Sequence, residues 1–165
     1  MFRAPETPFM LQNEFDRFDR AILKALQDNA ALTNAELGAI VNLSPSQCSR
    51  RRARLEESGA IAGYAARLDA SALGFGLKAI TRVNLSSHSE KNAESFADFL
   101  ARHEEIRQAF SVSGDADYVL VIVTRDLAAF AQFIHGHLLP HPQVGRVQSE
   151  IVLMKLKDEA GLPIA

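Results

Sequence analysis

Between Ser44 and Leu55 the chain carries four arginines, Arg50, Arg51, Arg52 and Arg54, and no acid. If this stretch is helical, each residue turns by about 100°. Cys48, Arg52 and Leu55 then share one side, and Ser46, Ser49, Arg50 and Ala53 the other. A cationic rod of this kind suits the major groove of a duplex, where the N-terminal residues of a helix meet base edges. Arginine can bond O6 and N7 of guanine together, glutamine can do the same with adenine, and a serine hydroxyl donates or accepts. The expected DNA-facing positions are Ser44 at the helix entrance, then Ser46, Gln47, Ser49 and Arg50. Arg51 and Arg54 flank them and suit phosphates, which supply affinity and register but no sequence preference. Arg52 points to the apolar side, so it should run along apolar surface or pair with Glu36 or Glu56. The competing reading is a solvated arginine-rich face on a small helical bundle. A tight preceding turn and small residues on the outward side favour DNA.

Other chemistry is less well supported. His135, His137 and His141 cluster in sequence, but His135 and His137 stand two apart on a helix, which turns their rings away from each other. Surface histidines are expected there rather than a metal site, which needs placed ligands and supporting partners. Cys48 reads as a small core residue. Gly74-Phe75-Gly76 lacks the further glycine and helix of a phosphate loop. Ser113, Asp115 and His103 compose no triad. No metal, cofactor or catalytic residue is expected.

The elements around the arginine-rich stretch have helical signals. Phe15, Phe18, Ile22, Leu23 and Leu26 recur at spacings of three and four, predicting a helix from Glu14 to about Asp28, with Asp16 and Asp19 in its first turns. Thr33 followed by Glu36 has the spacing of a capping box; Leu37, Ile40 and Val41 form the apolar stripe behind it. Ser44 can cap a third helix with Pro45 at its first position, and Gly59 stops it. Helix, helix, tight turn, helix is the pattern of a helix-turn-helix. After Gly59 the period changes, and 61–68 reads as a short strand or wing. Gly74 and Gly76 mark a boundary. The second half reads as strand Leu77–Leu85, helix 90–103, strand 106–112, strand 118–123, helix 127–138 and a long last strand 144–157. That order, β-α-β-β-α-β, is ferredoxin-like. The fold class is therefore α+β, with an arm at 1–13, a (winged) helix-turn-helix domain at 14–63, a strand or linker at 64–76, a ferredoxin-like domain at 77–157 and a tail at 158–165.

The 165 residues are 47% hydrophobic and 23% charged, ordinary for a globular protein, but two domains this small favour mutual support through oligomerisation. The net charge of −2 does not mark a nucleic-acid binder, so the local concentration of arginine carries the argument. The single cysteine gives no disulfide, no run approaches the ~20 apolar residues of a membrane span, and the first ten residues lack the pattern of a signal peptide. The cytoplasm is the expected compartment.

The runs Phe18-Asp19-Arg20-Ala21-Ile22-Leu23, Leu43-Ser44-Pro45-Ser46-Gln47-Cys48-Ser49-Arg50-Arg51 and Leu55-Glu56-Glu57-Ser58-Gly59-Ala60-Ile61-Ala62-Gly63-Tyr64 resemble the DNA-binding domain of the Lrp/AsnC (leucine-responsive/asparagine-responsive) regulators. Gly114-Asp115-Ala116-Asp117-Tyr118 resembles that family's glycine–acid turn. The resemblance implies a transcription regulator whose second domain senses a small molecule, an amino acid as a rule, bound between dimers near that turn. It implies dimers formed by sheets packed face to face and assembled further, often to octamers. By position, the effector site comprises Gly114, Asp115, Asp117, Tyr118 and Ser149. Asp115 or Asp117 could accept from an ammonium and backbone N–H groups at Gly114 could hold a carboxylate; equally, Gly114 could serve only to turn a hairpin. Ala116, Val147 and Glu150 depart from the family's usual residues. The sirohaem decarboxylases resemble the family in both domains, so an enzyme is an alternative that fold alone does not exclude, as is a ligand-independent architectural DNA binder. The expectation is a non-enzymatic regulator bound to double-stranded DNA.

Overall fold

The computed structural model describes residues 15–87, 90–158 and 161–164; the expected arm at 1–13 and the expected helix start at Glu14 lie outside them. The described residues divide into two compact units, one running from Leu68 to Leu156, the other comprising Phe15–Arg67 together with the described residues from Lys157 on. Of the 158–165 stretch, read as a tail, Leu162 contacts the helical unit. There the Gln27 side chain accepts from the Leu162 N–H at 2.7 Å and donates to the Leu162 carbonyl at 3.0 Å.

Three helices build the first unit, each opened by a reciprocal cap that satisfies otherwise orphaned N–H groups. Helix α1, Arg17–Asp28, is capped by Asp16, whose carboxylate accepts from the N–H groups of Phe18 and Asp19, while Asp19 accepts from the Asp16 N–H. Helix α2, Asn34–Val41, has the expected Thr33–Glu36 box. Helix α3, Pro45–Glu57, has Ser44 as cap and Gln47 as its partner. Between α2 and α3, Asn42 takes a left-handed φ of +56° and the Leu43 N–H bonds back to the Gly38 carbonyl at 3.1 Å. The turn is so tight that a Cβ on Gly38 would lie 2.5 Å from the Leu43 carbonyl oxygen. The core is Ile22, Leu26, Leu37, Val41, Cys48 and Leu55, with Ile61 packed against it. Ile40, expected on the buried stripe, is 56% exposed, and Gly38 faces inward instead.

The strand expected over 61–68 is not present: no residue from 58 to 76 is in a strand. A lone extended segment has no ladder to join, and Tyr64 is engaged by α3 side chains. A turn then follows, in which Asp69 accepts from the N–H groups of Ser71 and Ala72 and Phe75 bonds to Ala70.

The second unit is an antiparallel four-stranded sheet, β1 Leu77–Leu85, β2 Ile106–Ser111, β3 Tyr118–Thr124 and β4 Val144–Ile151, in the order β2-β3-β1-β4. Helices α4, Glu90–Arg102, and α5, Leu127–Phe133, supply Phe96, Phe99, Phe130 and Phe133 to a core with Ala79, Val83, Leu120 and Ile122. This is the ferredoxin-like arrangement. The expected helix 127–138 is α-helical only to Phe133; a π-helical turn, Ile134–Leu138, finishes it with the Leu139 N–H bonded to the Ile134 carbonyl. The last strand stops at Ile151 and not at Lys157. Its partner β1 begins at Leu77, and the Val152 N–H to Lys78 carbonyl bond is the last of the ladder. Leu153, Met154 and Leu156 beyond it are exposed.

Candidate functional site

The outward face of α3 presents Ser46, Ser49, Arg50 and Ala53, all exposed, while Cys48 and Leu55 are buried. The arginines do not behave alike. Arg50 makes no ion pair or hydrogen bond among the described residues, so its guanidinium is available. Arg51 was expected to flank the base readers free for phosphate. Its Nη1 instead donates to Asp16 and to Asp19, both at 2.8 Å, and its side chain is 21% exposed. The Asp19 carboxylate is the chief cause of its guanidinium being held more firmly protonated than usual. Arg54, also assigned to phosphate, donates to the same Asp19, though 57% of its side chain stays in solvent. Arg52 pairs with Glu56 as one of its two expected partners and also donates to Tyr64 and to the Leu32 carbonyl. Its guanidinium lies 4.6 Å from the Tyr64 ring centre. Tyr64 and Asp19 are therefore functional neighbours of α3 that sequence spacing did not reveal.

Gln47 also differs from expectation. Its Oε1 accepts from the Ser44 N–H and the Ser44 hydroxyl, both at 3.0 Å. A two-point contact with adenine needs that oxygen, so it would require Gln47 to leave the cap; Nε2 is its uncommitted donor. Ser44 accepts from the Gln47 N–H and lies 3.1 Å from the Ser46 hydroxyl. The signal was present in the sequence: Ser44 and Gln47 are spaced as a capping box.

At the turn between β2 and β3, Gly114 has a φ of +139°, as a glycine-dependent turn requires. The Asp117 carboxylate accepts from the Leu85 N–H at 2.8 Å, and its own N–H bonds to the Val83 carbonyl. It thereby finishes the end of β1, where the ladder with β4 is irregular, so of the two expected ammonium acceptors, Asp115 and Asp117, this one also has a role in holding the turn. Asp115 is exposed; its backbone carbonyl accepts from Asn84. Tyr118 packs on Phe96 with ring centres 5.0 Å apart. Ser149 bonds Thr81 across the β1–β4 ladder, so strand β1 separates it from Tyr118 on β3. Within one chain, Gly114, Asp115, Asp117 and Tyr118 come together and Ser149 does not join them.

The histidines make no metal cluster among the described residues. They are not all plain surface groups, however. His141 is half-buried against Phe96 and Phe99, and His103 packs tilted against Phe99 and meets His137 at 5.1 Å. Burial pushes the pKa of both His103 and His141 below the ordinary histidine value. No helix among the described residues is long and apolar enough to cross a membrane.

Known proteins match both units. The winged helix-turn-helix DNA-binding family model matches residues 15–62, and the Lrp/AsnC ligand binding domain model matches residues 78–162. The chain is 38% identical over 151 residues to the leucine-responsive regulatory protein of Rhizobium meliloti, covering 92% of this chain and 97% of that protein. It is 31% identical to the transcriptional regulator AzlB of Bacillus subtilis, covering 90% and 95%. A transcriptional regulator of Neisseria meningitidis, solved as a complex with L-Met, superposes with a TM-score of 0.87 at 38% identity, over 90% of this chain and 96% of that one. With each unit matched by its own family model and relatives aligned nearly end to end, the chain belongs to the Lrp/AsnC family of transcriptional regulators, with a DNA-binding and a ligand-binding domain.

Proposed function

We propose that α3 enters the major groove of an operator and reads bases through Ser46, Ser49 and Arg50, with Ser44 and the Gln47 amide nitrogen at the helix entrance. The observation that carries this reading is the division among the arginines. One is exposed and uncommitted on the outward face, beside small hydroxyl side chains that let a helix approach base edges closely. Arg50→Ala is expected to weaken binding to the protein's own upstream region by about 1–3 kcal/mol and to relax the sequence preference. Equal affinity of wild type and variant in an anisotropy titration would remove Arg50 from base reading. If the wild type ignores both that region and random duplex at low salt, the whole reading fails.

The effector we propose is an amino acid, supported by the relative solved with L-Met. Asp115, whose carboxylate has no partner among the described residues, takes the ammonium role, with the Gly114 backbone and Tyr118 beside it. Asp117 holds the turn in place, and Ser149 contributes from another copy. Assembly is proposed through the sheet face turned away from α4 and α5. That face carries part-exposed Ile80, Val119 and Val123 and buried Val121 around a half-exposed Phe110, apolar surface that a partner sheet could cover. Dimers formed there associate further, up to an octamer, in the cytoplasm. No catalytic step is part of this function. A thermal-shift screen against the twenty amino acids at fixed protein concentration tests the effector, since a ligand bound to the folded state raises the melting temperature by mass action. Light scattering tests the assembly.

A further inference from the structure

Asp19 is fully buried, yet it carries a carboxylate at the junction of α1 and α3. Its Oδ1 accepts from Arg51, and its Oδ2 accepts from Arg54 and from the Asp16 N–H. The two arginines stand three apart on α3, so one acid grips two successive turns of that helix. It also closes the α1 cap. Removing one partner from such a buried charge group is costly, and a purely apolar contact could hold the helices together without it. The arrangement therefore does more than pack two helices: it engages two of the four arginines on the helix proposed to face DNA.

We propose that Asp19 is a specificity-determining positioning residue for DNA recognition, holding Arg51 and Arg54 away from phosphates so that Arg50 and the serines dominate the contact. The inference rests on the DNA-binding reading given above. Phosphate contacts carry no sequence information. On the operator, base contacts fix the pose of α3 and limit which phosphates a side chain can reach. On random duplex two freely swinging arginines would themselves settle the pose, so their release would strengthen random binding more than operator binding. A carboxylate with its lone pairs already filled by these guanidiniums competes with the duplex for both of them. Asp16 reinforces the hold on Arg51 from the first residue outside α1.

The test uses the full chain with Asp19→Asn, which keeps the shape and loses the charge. Binding to the upstream region and to random duplex is followed against salt. Each additional phosphate contact steepens the log–log dependence by about 0.9. The variant should therefore be steeper by up to about 1.8 for each helical unit bound, and its preference for the upstream region over random duplex should fall. A folded variant with unchanged slope and unchanged preference, or one losing affinity for both duplexes in parallel at constant slope, overturns the proposal. Arg54→Gln and Arg51→Gln in the wild-type background cover the case in which Asp19→Asn does not fold. If both arginines are held back, each variant leaves the slope unchanged. A slope shallower by about 0.9 would mean that the arginine already reaches phosphate, and Asp19 does not restrain it. Wild-type binding to duplex is measured in the same titrations, so failure of the regulator reading is seen separately.

Discussion

Gly38→Ala puts the tight turn of the helical unit to a quantitative test. In an exposed helix interior, alanine in place of glycine stabilises by about 1 kcal/mol. At Gly38 the added Cβ would stand 2.5 Å from the Leu43 carbonyl oxygen and 3.6 Å from the Pro45 nitrogen. The first distance is far inside ordinary contact, and the atom met is backbone, which no rotamer change can move. Leu43 is fixed on one side by left-handed Asn42 and its bond to Gly38, and on the other by the Ser44 cap. Overpacking of this kind costs roughly 1–3 kcal/mol, and more where backbone must shift. After the propensity gain, a net loss of about 1–2 kcal/mol is expected, a fall of a few degrees in melting temperature for a chain of this size. Gly136→Ala is the control: it sits in the helical turn after α5 with nothing within 4 Å of a Cβ, and should be neutral or slightly stabilising. Both are measured by urea denaturation at one protein concentration. Because the displaced turn carries the N-terminus of α3, operator affinity should fall in Gly38→Ala under conditions where it is fully folded. Equal stability of the two variants, or a destabilised Gly38→Ala with unchanged operator affinity, would refute the claim that this glycine sets the turn and the approach of α3.

The two aspartates of the β2–β3 turn should separate. Asp117→Ala leaves the Leu85 N–H without its acceptor and should cost about 1–3 kcal/mol of stability, whereas Asp115→Ala should leave stability unchanged and remove any amino-acid-induced thermal shift; the reverse pattern would exchange their roles. His103 and His141 have folded-state pKa values lowered by burial, against about 6.5 unfolded, so the unfolded chain binds more protons as the pH drops. The contribution of these two histidines to the stability of the sheet unit should thus be complete above about pH 6.5 and be lost as pH falls through the lower folded values. Nδ1 of His141 is buried with no hydrogen-bond partner among the described residues and Arg102 opposes a proton there, while Glu105 partly favours one on His103. His141→Phe should shrink the fall in melting temperature between pH 7.5 and pH 5.5, and an undiminished fall would rule His141 out as a contributor. Cys48 is fully buried and its thiol pKa is raised by that burial, so iodoacetamide at neutral pH should label it only on the timescale of opening; labelling as fast as in denaturant would show that the core is not closed there.

What the sequence made legible follows from how near in the chain each cause lies. Thr33 and Glu36, Ser44 and Pro45, and the 3–4 spacing of Ile22 and Leu26 act within one or two turns of a helix, and the structure has each of them in the expected place. Strand β1 runs from Leu77 to Leu85 as its pattern predicts because its alternation faces a core on one side. The end of β4 was not legible. Val152 to Lys157 has the composition of a strand, but a strand persists only while a neighbour supplies N–H and C=O groups, and β1 starts at Leu77. Ile40 failed for a related reason: the apolar stripe assumes that size decides which side is buried, whereas at this turn the inward position has to be the residue with no side chain.

The arginines are the instructive case. Residue types alone put Arg51 and Arg54 on phosphate, and local spacing gave no reason against it, since α3 contains no acid until Glu56. The acid that claims them is 32 and 35 residues earlier. The first sixty residues hold equal numbers of acids and bases, a neutrality that looked uninformative. In the fold it becomes specific: Asp16 and Asp19 cancel Arg51 and Arg54 at one edge of α3, Glu56 answers Arg52 at another, and the uncompensated charge left on the outward face is that of Arg50. A helix with four free arginines would bind duplex of any sequence. On the proposed reading, pairing three of them is what would let a single guanidinium, beside serines, contribute discrimination instead of bulk attraction. Charge distribution in this domain is therefore a property of tertiary pairing, and the segment's composition overstates the number of cations it can offer to DNA.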